Sequence, residues 1–298
     1  MGTLSKGTLF PPQLTNELFN LVRGKSSLAR LSQQKPLPFN GTEVFTFNFD
    51  NEVDVIAENG AKGVGGSTIQ PITIQPVKIE YGTRVSDEFV YASDEIRLGY
   101  LRAFSEGFAA KAARGLDIMA FHGYNPRTMQ ASAVIGNNHF DSKITKSVTR
   151  TASPDADVES AIALVMDDEH EVTGMAMSPA FRSALAAMRK TDGTPVFPEL
   201  QWGQGGNDTI RGLAVDTNST MSVNSTVNKD AAIVGNFRDY FRYGISRQVS
   251  IETILYGNPD NSEAGDLKGH NQVYLRGELY IGWGILVPDA FSKIVSGE

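Results

Sequence analysis

Residues 93–123, SDEIRLGYLRAFSEGFAAKAARGLDIMAFHG, predict one long helix, and this helix decides the fold. Ser93 is a suitable N-cap, Asp94 and Glu95 favour the positive first turn, and Gly123 favours a helix end. About 29 residues at 1.5 Å per residue would span roughly 43 Å, which is longer than most globular helices. Apolar side chains at steps of four predict one packed face, formed by Ile96, Tyr100, Phe104, Phe108, Ala112 and Leu116.

A long hairpin is predicted before this helix. Residues 43–49 alternate phenylalanine with polar side chains, which indicates a strand with one apolar face. Residues 58–68, ENGAKGVGGST, hold four glycines and indicate an exposed turn. The alternation returns in residues 69–81, IQPITIQPVKIEY, with a phase shift at Pro76 that predicts a break in strand pairing. A ribbon of this length is marginal alone in water, so we expect it to pack on another chain.

The chain begins with a predicted arm. Pro11 and Pro12 open an amphipathic helical stretch, and Gly24 ends it. A short helix on a polar leader is suited to docking on another surface. The side chains expected to dock are Leu14, Leu18 and Leu21.

Residues 125–245 predict a second region of helices and strands. Two serine-proline pairs start helices on either side of a buried strand, in the order Ser153 with Pro154, VTGMAM at 172–177, and Ser178 with Pro179. Residues 216–229, DTNSTMSVNSTVNK, predict a polar surface loop. After residue 245 the chain returns to strands, which a loop at 256–269 interrupts.

Composition excludes several classes of protein. With 34 acidic and 27 basic side chains the net charge is -7, which argues against a protein that grips nucleic acid through its phosphates. The absence of cysteine removes disulfides, thiolate metal sites and cysteine nucleophiles. No apolar run approaches the roughly 18 residues that span a bilayer, and the N-terminus lacks a signal-peptide pattern. We therefore expect a cytoplasmic product with no membrane contact.

Five segments in a fixed order carry a resemblance over nearly the whole chain. They are VKIEYGTRVSDEFV (77–90), AARGLDIMAFHG (112–123), MAMSPAFRSALAAMRKTDGTPVF (175–197), IRGLAVDTNSTM (210–221), and AIVGNFRDYFRYGISRQVSIETI (232–254) followed by NQVYLRGELYIGWGILVPDAFSKI (271–294). Together they resemble the tailed-bacteriophage major capsid proteins, whose fold is named after the Hong Kong 97 phage. The fourth segment lacks the proline of the family pattern.

The resemblance implies an α+β fold of the Hong Kong 97 type and a division of the chain into four parts. These are an N-terminal arm (1–40), an extended hairpin or E-loop (41–81), a peripheral domain with a long spine helix (82–124 and 246–298), and an axial domain (125–245). Many family members carry a helical scaffolding segment before the arm. Here the arm begins near Met1, so we expect a separate scaffolding protein or none.

The function that the resemblance implies is that of a major capsid protein. Pentamers and hexamers of the chain would form an icosahedral virion shell, assembled in the host bacterial cytoplasm, that encloses double-stranded DNA without sequence-specific contacts. The expected partners are further copies of the chain, a portal protein, and separate scaffolding and decoration proteins, and no cofactor is expected. An encapsulin-type nanocompartment shell is the alternative within the same fold.

Candidate catalytic and metal-binding residues are sparse. VRGKSSL at 22–28 resembles the end of a phosphate loop, but Phe19 replaces its first glycine. His170, within the acidic run 167–171, has a spacing compatible with metal ligands on one helix face, but we expect the run to be a solvated acidic helix end. His122 is expected to favour the dipole at the helix end rather than to act as a general base. No nucleophile and base are paired, so we expect no enzyme, and a soluble hydrolase or binding protein is the rival class.

The predicted functional residues are therefore assembly contacts. Besides the arm leucines, they are the hairpin side chains Phe45, Phe47, Ile72 and Ile74, and the acidic Glu52, Asp54 and Glu58, which would pair with Arg102 or Arg276 of a neighbour. The apolar members are expected to become buried only after assembly. Phe47→Asp should leave a subunit that folds but assembles poorly.

The resemblance also implies a possible covalent crosslink. Some family members join subunits by an isopeptide bond between a hairpin lysine and an asparagine of a neighbour, assisted by a buried glutamate. Here the candidates would be Lys62, Asn258 and Glu263, with an ordinary flexible loop at 256–269 as the alternative.

Overall fold

The computed structural model describes residues 25–49, 52–61, 63–200, 209–223 and 229–297. Its α-helices in this part of the chain are α1 (Ser27–Leu31), α2 (Glu88–Tyr91), α3 (Asp94–His122), α4 (Phe140–Lys143), α5 (Pro154–Met166), α6 (Pro179–Ala187) and α7 (Phe237–Tyr240). Short 3₁₀ turns lie at Ser219–Ser222, Lys268–His270 and Pro288–Ala290.

The strands pair into two large sheets and two small ones. They are β1 (Gln33–Gln34), β2 (Thr42–Phe49), β3 (Ser67–Ile74), β4 (Val77–Ser86), β5 (Tyr124–Asn125), β6 (Gln130–Ala131), β7 (Ser147–Arg150), β8 (Gly174–Met177), β9 (Thr209–Ile210), β10 (Leu213–Thr217), β11 (Asp230–Gly235), β12 (Phe241–Ile254), β13 (Gln272–Ile285) and β14 (Phe291–Ser296). One sheet has the order β1-β12-β13-β4, the other β7-β14-β11-β8-β10-β9, and β2 pairs with β3 and β5 with β6. The predicted α+β class is confirmed.

The long helix is confirmed nearly residue for residue. α3 has 29 residues and ends at Gly123, whose left-handed φ of 70° is the conformation that glycine adopts most easily. The Gly123 amide donates to the carbonyl of Met119 at 2.9 Å. Ser93 occupies the N-cap position but its side chain makes no capping hydrogen bond.

The predicted hairpin is also present, but it is shorter than expected. β2 and β3 pair antiparallel from Thr42 opposite Ile74 to Phe49 opposite Ser67. The phase shift at Pro76 marks a change of sheet, because β4 pairs antiparallel with β13 from Val77 onwards. The predicted limit at residue 81 therefore falls inside β4, which belongs to the four-stranded sheet.

The predicted axial segment does not coincide with one sheet. The limit at residue 245 falls inside β12, and β14, which was assigned to the peripheral part, lies in the six-stranded sheet beside β11. β14 completes the sheet because its neighbours β7 and β11 come from the axial segment. The helices α5 and α6 and the fully buried strand β8 between them occur as predicted.

The main core lies where the end of α3 meets both large sheets. Phe140 sits at its centre, with ring centroids 5.1–5.9 Å from four other aromatic rings, those of Phe121, Phe237, Phe241 and Phe291. Trp283 of β13 is fully buried nearby, and its indole nitrogen donates to the carbonyl of Asn138 at 2.8 Å. A second core lies within the six-stranded layer, where side chains such as Phe181 and Val234 pack together.

Candidate assembly surfaces

The apolar side chains of the hairpin differ in their exposure. Phe45 is 56% exposed, and Ile72 is half-buried. Ile74 is only 5% exposed, so the prediction that it becomes buried on assembly is wrong. It packs on Gly284 of β13, where an added Cβ would approach its Cγ1 to 2.7 Å. The side chain of Phe47 lies outside the described residues.

The connecting segment after β2 carries the predicted acidic residues on the surface. Glu52, Asp54 and Glu58 are exposed. Three apolar side chains of the same segment are almost fully exposed, namely Val53, Val55 and Val64. Val53 and Val55 alternate with Glu52 and Asp54 in the sequence NEVDVI, where the acidic neighbours concealed an apolar pattern.

The predicted basic partners already have contacts within the subunit. Arg276 lies directly opposite Glu252 across the β12–β13 ladder and binds it at 3.0 Å, and it also reaches Glu278 at 3.4 Å. Arg102 lies exposed on α3 and is likewise engaged in an interaction within the chain. Cross-strand spacing explains the Arg276 pair, because directly opposed side chains in a sheet are neighbours.

The N-terminal end of α3 is an apolar surface. Ile96 is 53% exposed and Tyr100 58%, and Leu98 and Tyr91 are exposed beside them. The Tyr100 ring stands edge-on to Phe89, with centroids 5.9 Å apart. Two of the six residues of the predicted helix stripe are therefore uncovered in a single subunit. We refer to Tyr91, Ile96, Leu98 and Tyr100 as the helix-end patch.

A groove lies between the base of the hairpin and the segment 134–143. Its volume is about 430 Å³, and Pro71, Ile72, Val77 and Trp283 contribute to its lining. Val134 on the rim is strongly exposed. The groove adds a concave surface of mixed polarity at the base of the hairpin, because Thr73, Gln75 and Asn138 also line it.

The loop after β12 is held by Arg84 of β4. Its guanidinium donates to both carboxylate oxygens of Asp260, at 2.6 and 2.9 Å, and to the carbonyl of Gly265 at 2.9 Å. These hydrogen bonds hold the pKa of Asp260 well below its usual range. The loop is therefore anchored to the sheet rather than free, which the sequence pattern did not predict.

The crosslink candidates are not brought together. The Asn258 side chain accepts a hydrogen bond from Arg84 at 2.7 Å and donates to the carbonyl of Ser262 at 2.9 Å, so its amide organises the loop. Glu263 is exposed, and Lys62 lies outside the described residues. The crosslink stays a prediction.

The arm residues Leu14, Leu18 and Leu21 also lie outside the described residues, but the end of the arm docks through a buried carboxylate. Asp117 of α3 accepts five hydrogen bonds, from the Ser26 hydroxyl, the Ser27 and Leu28 amides, the Asn218 amide group and the Thr220 hydroxyl. Burial raises the pKa of Asp117 to about 6, although the hydrogen bonds oppose that shift. The first amides of α1, those of Ser27 and Leu28, are thus presented to an internal carboxylate.

Part of the predicted surface loop at 216–229 is buried against Asp117. Thr220 and Met221 are buried, because the 3₁₀ turn at Ser219–Ser222 is drawn against α3 by the contact between Thr220 and Asp117. Asp117 is a single polar residue in the Ala-rich half of α3, and no sequence pattern indicated that it would bind this turn.

His122 belongs to a buried cluster rather than to an exposed helix end. Its Nδ1 atom lies 2.8 Å from Oδ2 of Asp141 and 3.8 Å from Oδ2 of Asp230, and its Nε2 atom lies 2.9 Å from the carbonyl of Thr220. Burial opposes ionisation of Asp141, but hydrogen bonds and the charge of His122 lower its pKa to about 2. His122, Asp141 and Asp230 each have a nitrogen or carboxylate oxygen within 4.8 Å of the others. Within the described ranges this is the one group of three histidine or acidic side chains that lie so close together.

The acidic run 167–171 does not share a helix face, because α5 ends at Met166. Asp168 binds Lys146, and the His170 ring stands edge-on to Tyr240 at 5.5 Å. The run therefore does not place metal ligands on one helix face. In the part of the chain that is described, none of the helices has both the length and the apolar character to cross a membrane.

The extended hairpin, the half-covered long helix and the two sheets define a structural subunit with apolar surfaces suited to contacts between chains. The sequence profile described as the phage capsid family matches residues 6–296, and the chain belongs to this family. It is a capsid shell protein of the virion, it self-assembles, and its family is a structural one. The resemblance found in the sequence is confirmed.

Solved structures agree. A chain from Mycobacterium phage Ogopogo is 29% identical over 92% of each chain, with a TM-score of 0.78. A chain from Gordonia phage Cozz is 22% identical, covering 92% of this chain and 87% of that one, with a TM-score of 0.75. A chain of the capsid of an empty GTA particle computed with C5 symmetry shares the fold at 13% identity and a TM-score of 0.64, over 92% and 90% of the two chains.

No curated protein matches the sequence. The matches above are to phage and GTA capsids, and they give no support to the encapsulin alternative.

Proposed function

We propose that this chain forms pentamers and hexamers that close into an icosahedral shell around double-stranded DNA, with the hairpin and the helix-end patch as the contacts between neighbouring subunits. The observation that carries the proposal is the exposure of the helix-end patch, with Tyr100 58% and Ile96 53% exposed on an otherwise well-packed helix. An exposed apolar area of this kind marks an interaction surface.

The hairpin supports the same proposal through its shape and composition. β2 and β3 pair only with each other over eight residues, and Phe45 is exposed on that ribbon. A two-stranded ribbon gains little stability by itself, so a neighbouring subunit would supply the missing packing. The valines beyond β2 would extend that contact, and the acidic residues between them would set its register rather than its strength.

The charge of the chain favours enclosure of DNA without tight binding. A net charge of -7 opposes extensive phosphate neutralisation, so the DNA would be confined by the closed shell. We propose that a portal protein occupies one vertex, that scaffolding and decoration proteins are separate chains, that assembly takes place in the host cytoplasm, and that the chain has no catalytic activity. The segment 125–245 would gather around the five- and six-fold axes.

The test is to express the chain alone and to examine it by size exclusion and negative-stain electron microscopy. We expect closed shells, or rings of five and six subunits. Phe45→Asp should yield a subunit with an unchanged circular dichroism spectrum and no shells. Tyr256→Asp is the matched control, because Tyr256 is an aromatic side chain that is 69% exposed on the loop after β12, outside the hairpin and the segment 125–245.

Normal shells from Phe45→Asp would remove the hairpin from the proposal. A uniform monomer from the wild-type chain that also fails to enter particles when phage lysate components are added would overturn the proposed assembly.

A further inference from the structure

Positive charge is concentrated at the N-terminal end of this acidic chain. Residues 1–40 hold five basic side chains and one acidic side chain, whereas the whole chain has 27 basic and 34 acidic side chains. A basic arm on an otherwise acidic protein is a charge pattern typical of a segment that contacts nucleic acid. The net charge of -7 describes the whole chain and conceals this local excess.

The end of the arm places two of these charges beside two more on the long helix. Lys25 and Arg30 have exposed side chains, and so have Lys111 and Arg114 of α3. Lys111 and Arg114 are three residues apart, so they are neighbours on the helix surface. We refer to these four residues as the basic patch.

One turn of the chain connects the two halves of the basic patch. The Arg114 guanidinium donates to the hydroxyl of Ser219 at 3.1 Å, and the side-chain amide of Asn218 donates to the carbonyl of Lys25 at 3.4 Å. The same amide donates at 3.0 Å to Asp117, which lies about one helical turn from Arg114. The basic patch is therefore one continuous surface where the arm meets α3.

The acidic side chains of this region are withdrawn from the surface. Asp117 is 0% exposed, and the side chain of Asp216 is 13% exposed and binds Arg30 at 2.9 Å. The preceding acidic residue of α3 is Glu106, more than one turn before Lys111. Among the described residues, the other three cations of the basic patch form no ion pair. The exposed charge of this surface is therefore positive.

A surface of exposed lysine and arginine side chains favours a polyanion. Duplex DNA carries closely spaced phosphates, and cations that neutralise them are favoured by the release of counterions. Phosphate contacts carry no sequence information, so they agree with enclosure of DNA without sequence-specific binding. The acidic remainder of the chain would keep such a contact weak.

We propose that the basic patch binds the phosphate backbone of the enclosed double-stranded DNA and therefore faces the interior of the shell. This inference rests on the proposed function, because it assigns the enclosed DNA to one surface of the proposed shell subunit. The arm and the long helix would then meet on the inner side of the shell.

The test measures binding of a short random-sequence DNA duplex to the unassembled full-length chain, isolated by size exclusion. Fluorescence anisotropy at several salt concentrations gives the binding constant. Lys111→Gln combined with Arg114→Gln should lower the affinity at low salt about 10-fold. It should also reduce the slope of the logarithm of the binding constant against that of the salt concentration by about two.

Lys190→Gln combined with Arg238→Gln is the matched control, because it removes the same charge from exposed residues outside the basic patch. The control should bind nearly as the wild type does. Equal weakening by the two pairs of substitutions would overturn the proposal, because only total charge would then matter. Preferential binding of polyglutamate over the duplex would also overturn it, because the patch would then suit an acidic protein segment.

These measurements use single subunits, so a failure of this inference is distinguishable from a failure to form shells. A second measurement reports the direction in which the patch faces, because the chain has no cysteine and one introduced thiol can be labelled alone. In closed shells, Lys111→Cys should react with a small maleimide and be protected from a bulky one that reacts with single subunits. Reaction of closed shells with the bulky reagent would place the patch outside and overturn the inference.

Discussion

The two halves of the long helix α3 differ in what covers them. From Phe108 to His122 the helix is largely enclosed, with Leu116 and Phe121 fully buried between the two sheets. From Asp94 to Tyr100 it presents the helix-end patch to solvent. The same periodic sequence thus completes its packing within the chain at one end and leaves it for a neighbour at the other. The enclosed half of α3 would therefore stabilise the fold of the subunit, and the exposed half would contact a neighbouring subunit. Substitutions in each half can test this division.

Phe121→Ala should produce the largest loss of subunit stability. Phe121 is 0% exposed, and its ring lies 5.7 Å from Phe140 at the centre of the main core. We expect the free energy of unfolding of the unassembled subunit to fall by about 3–5 kcal/mol, from lost burial and the cavity left behind. Urea unfolding followed by fluorescence measures it. A loss of unfolding free energy below about 1 kcal/mol would mean that the enclosed half of α3 is not a main source of the stability of the subunit.

Asp117 should make the enclosed half sensitive to pH. Its pKa is raised to about 6 from the ordinary 3.8, so near pH 5 the folded chain holds a proton that the unfolded chain has released. This group therefore stabilises the subunit as the pH falls from about 6 towards 4, by on the order of 3 kcal/mol. Other carboxylates act in the opposite direction, for example Asp260, whose pKa is lowered.

The measurement is the difference in unfolding free energy between the wild type and Asp117→Asn at several pH values from 4 to 7. The unfolding free energy of the wild type should rise relative to that of the variant as the pH falls. Parallel curves for the two proteins would show that Asp117 does not titrate in this range.

The sequence predicted the elements better than their partners. The limits of α3, the break at Pro76 and the Ser178 cap depend on local backbone chemistry, and all three are confirmed. The burial of Ile74 and the sheet to which β14 belongs depend on residues far along the chain, and the sequence pattern does not encode them. For the same reason an apolar stripe along α3 could not indicate which half would remain exposed.

The candidate surfaces were predicted in part. Phe45 and the acidic residues of the hairpin lie exposed as predicted, whereas Arg276 is engaged within its own sheet. The role of Asp117 and the buried partners of His122 were not foreseen, because each of the two is a single polar residue in an otherwise helical pattern. The Ser26 partner of Asp117 and the Thr220 partner of His122 are 91 and 98 residues away, beyond the reach of any local signal.

Ser26→Ala should lower the free energy of unfolding by less than Phe121→Ala does. It would weaken the docking of the end of the arm onto the enclosed half of α3. Ser26 accepts from the Ala29 amide at 3.1 Å and donates to Asp117 at 2.5 Å, so it caps α1 and binds the helix at once. We expect a loss of about 1–2 kcal/mol. Ser153→Ala is the matched control, because Ser153 precedes α5 without a side-chain capping bond. Equal losses in urea unfolding from both variants would remove this role from Ser26.

Tyr100→Asp should have the smallest effect on the subunit and yet abolish the shell. Tyr100 is 58% exposed and its main contact is the ring of Phe89, so the unfolding free energy should change by less than about 1 kcal/mol. A charge in the helix-end patch would have to be desolvated when a neighbour covers it, which opposes assembly. Tyr256→Asp is the matched control, since Tyr256 is 69% exposed on the loop held by Arg84. If Tyr100→Asp and Tyr256→Asp both form normal shells under the electron microscope, the uncovered half of the helix is not a contact between subunits, and the division of α3 into a folding half and an assembly half fails.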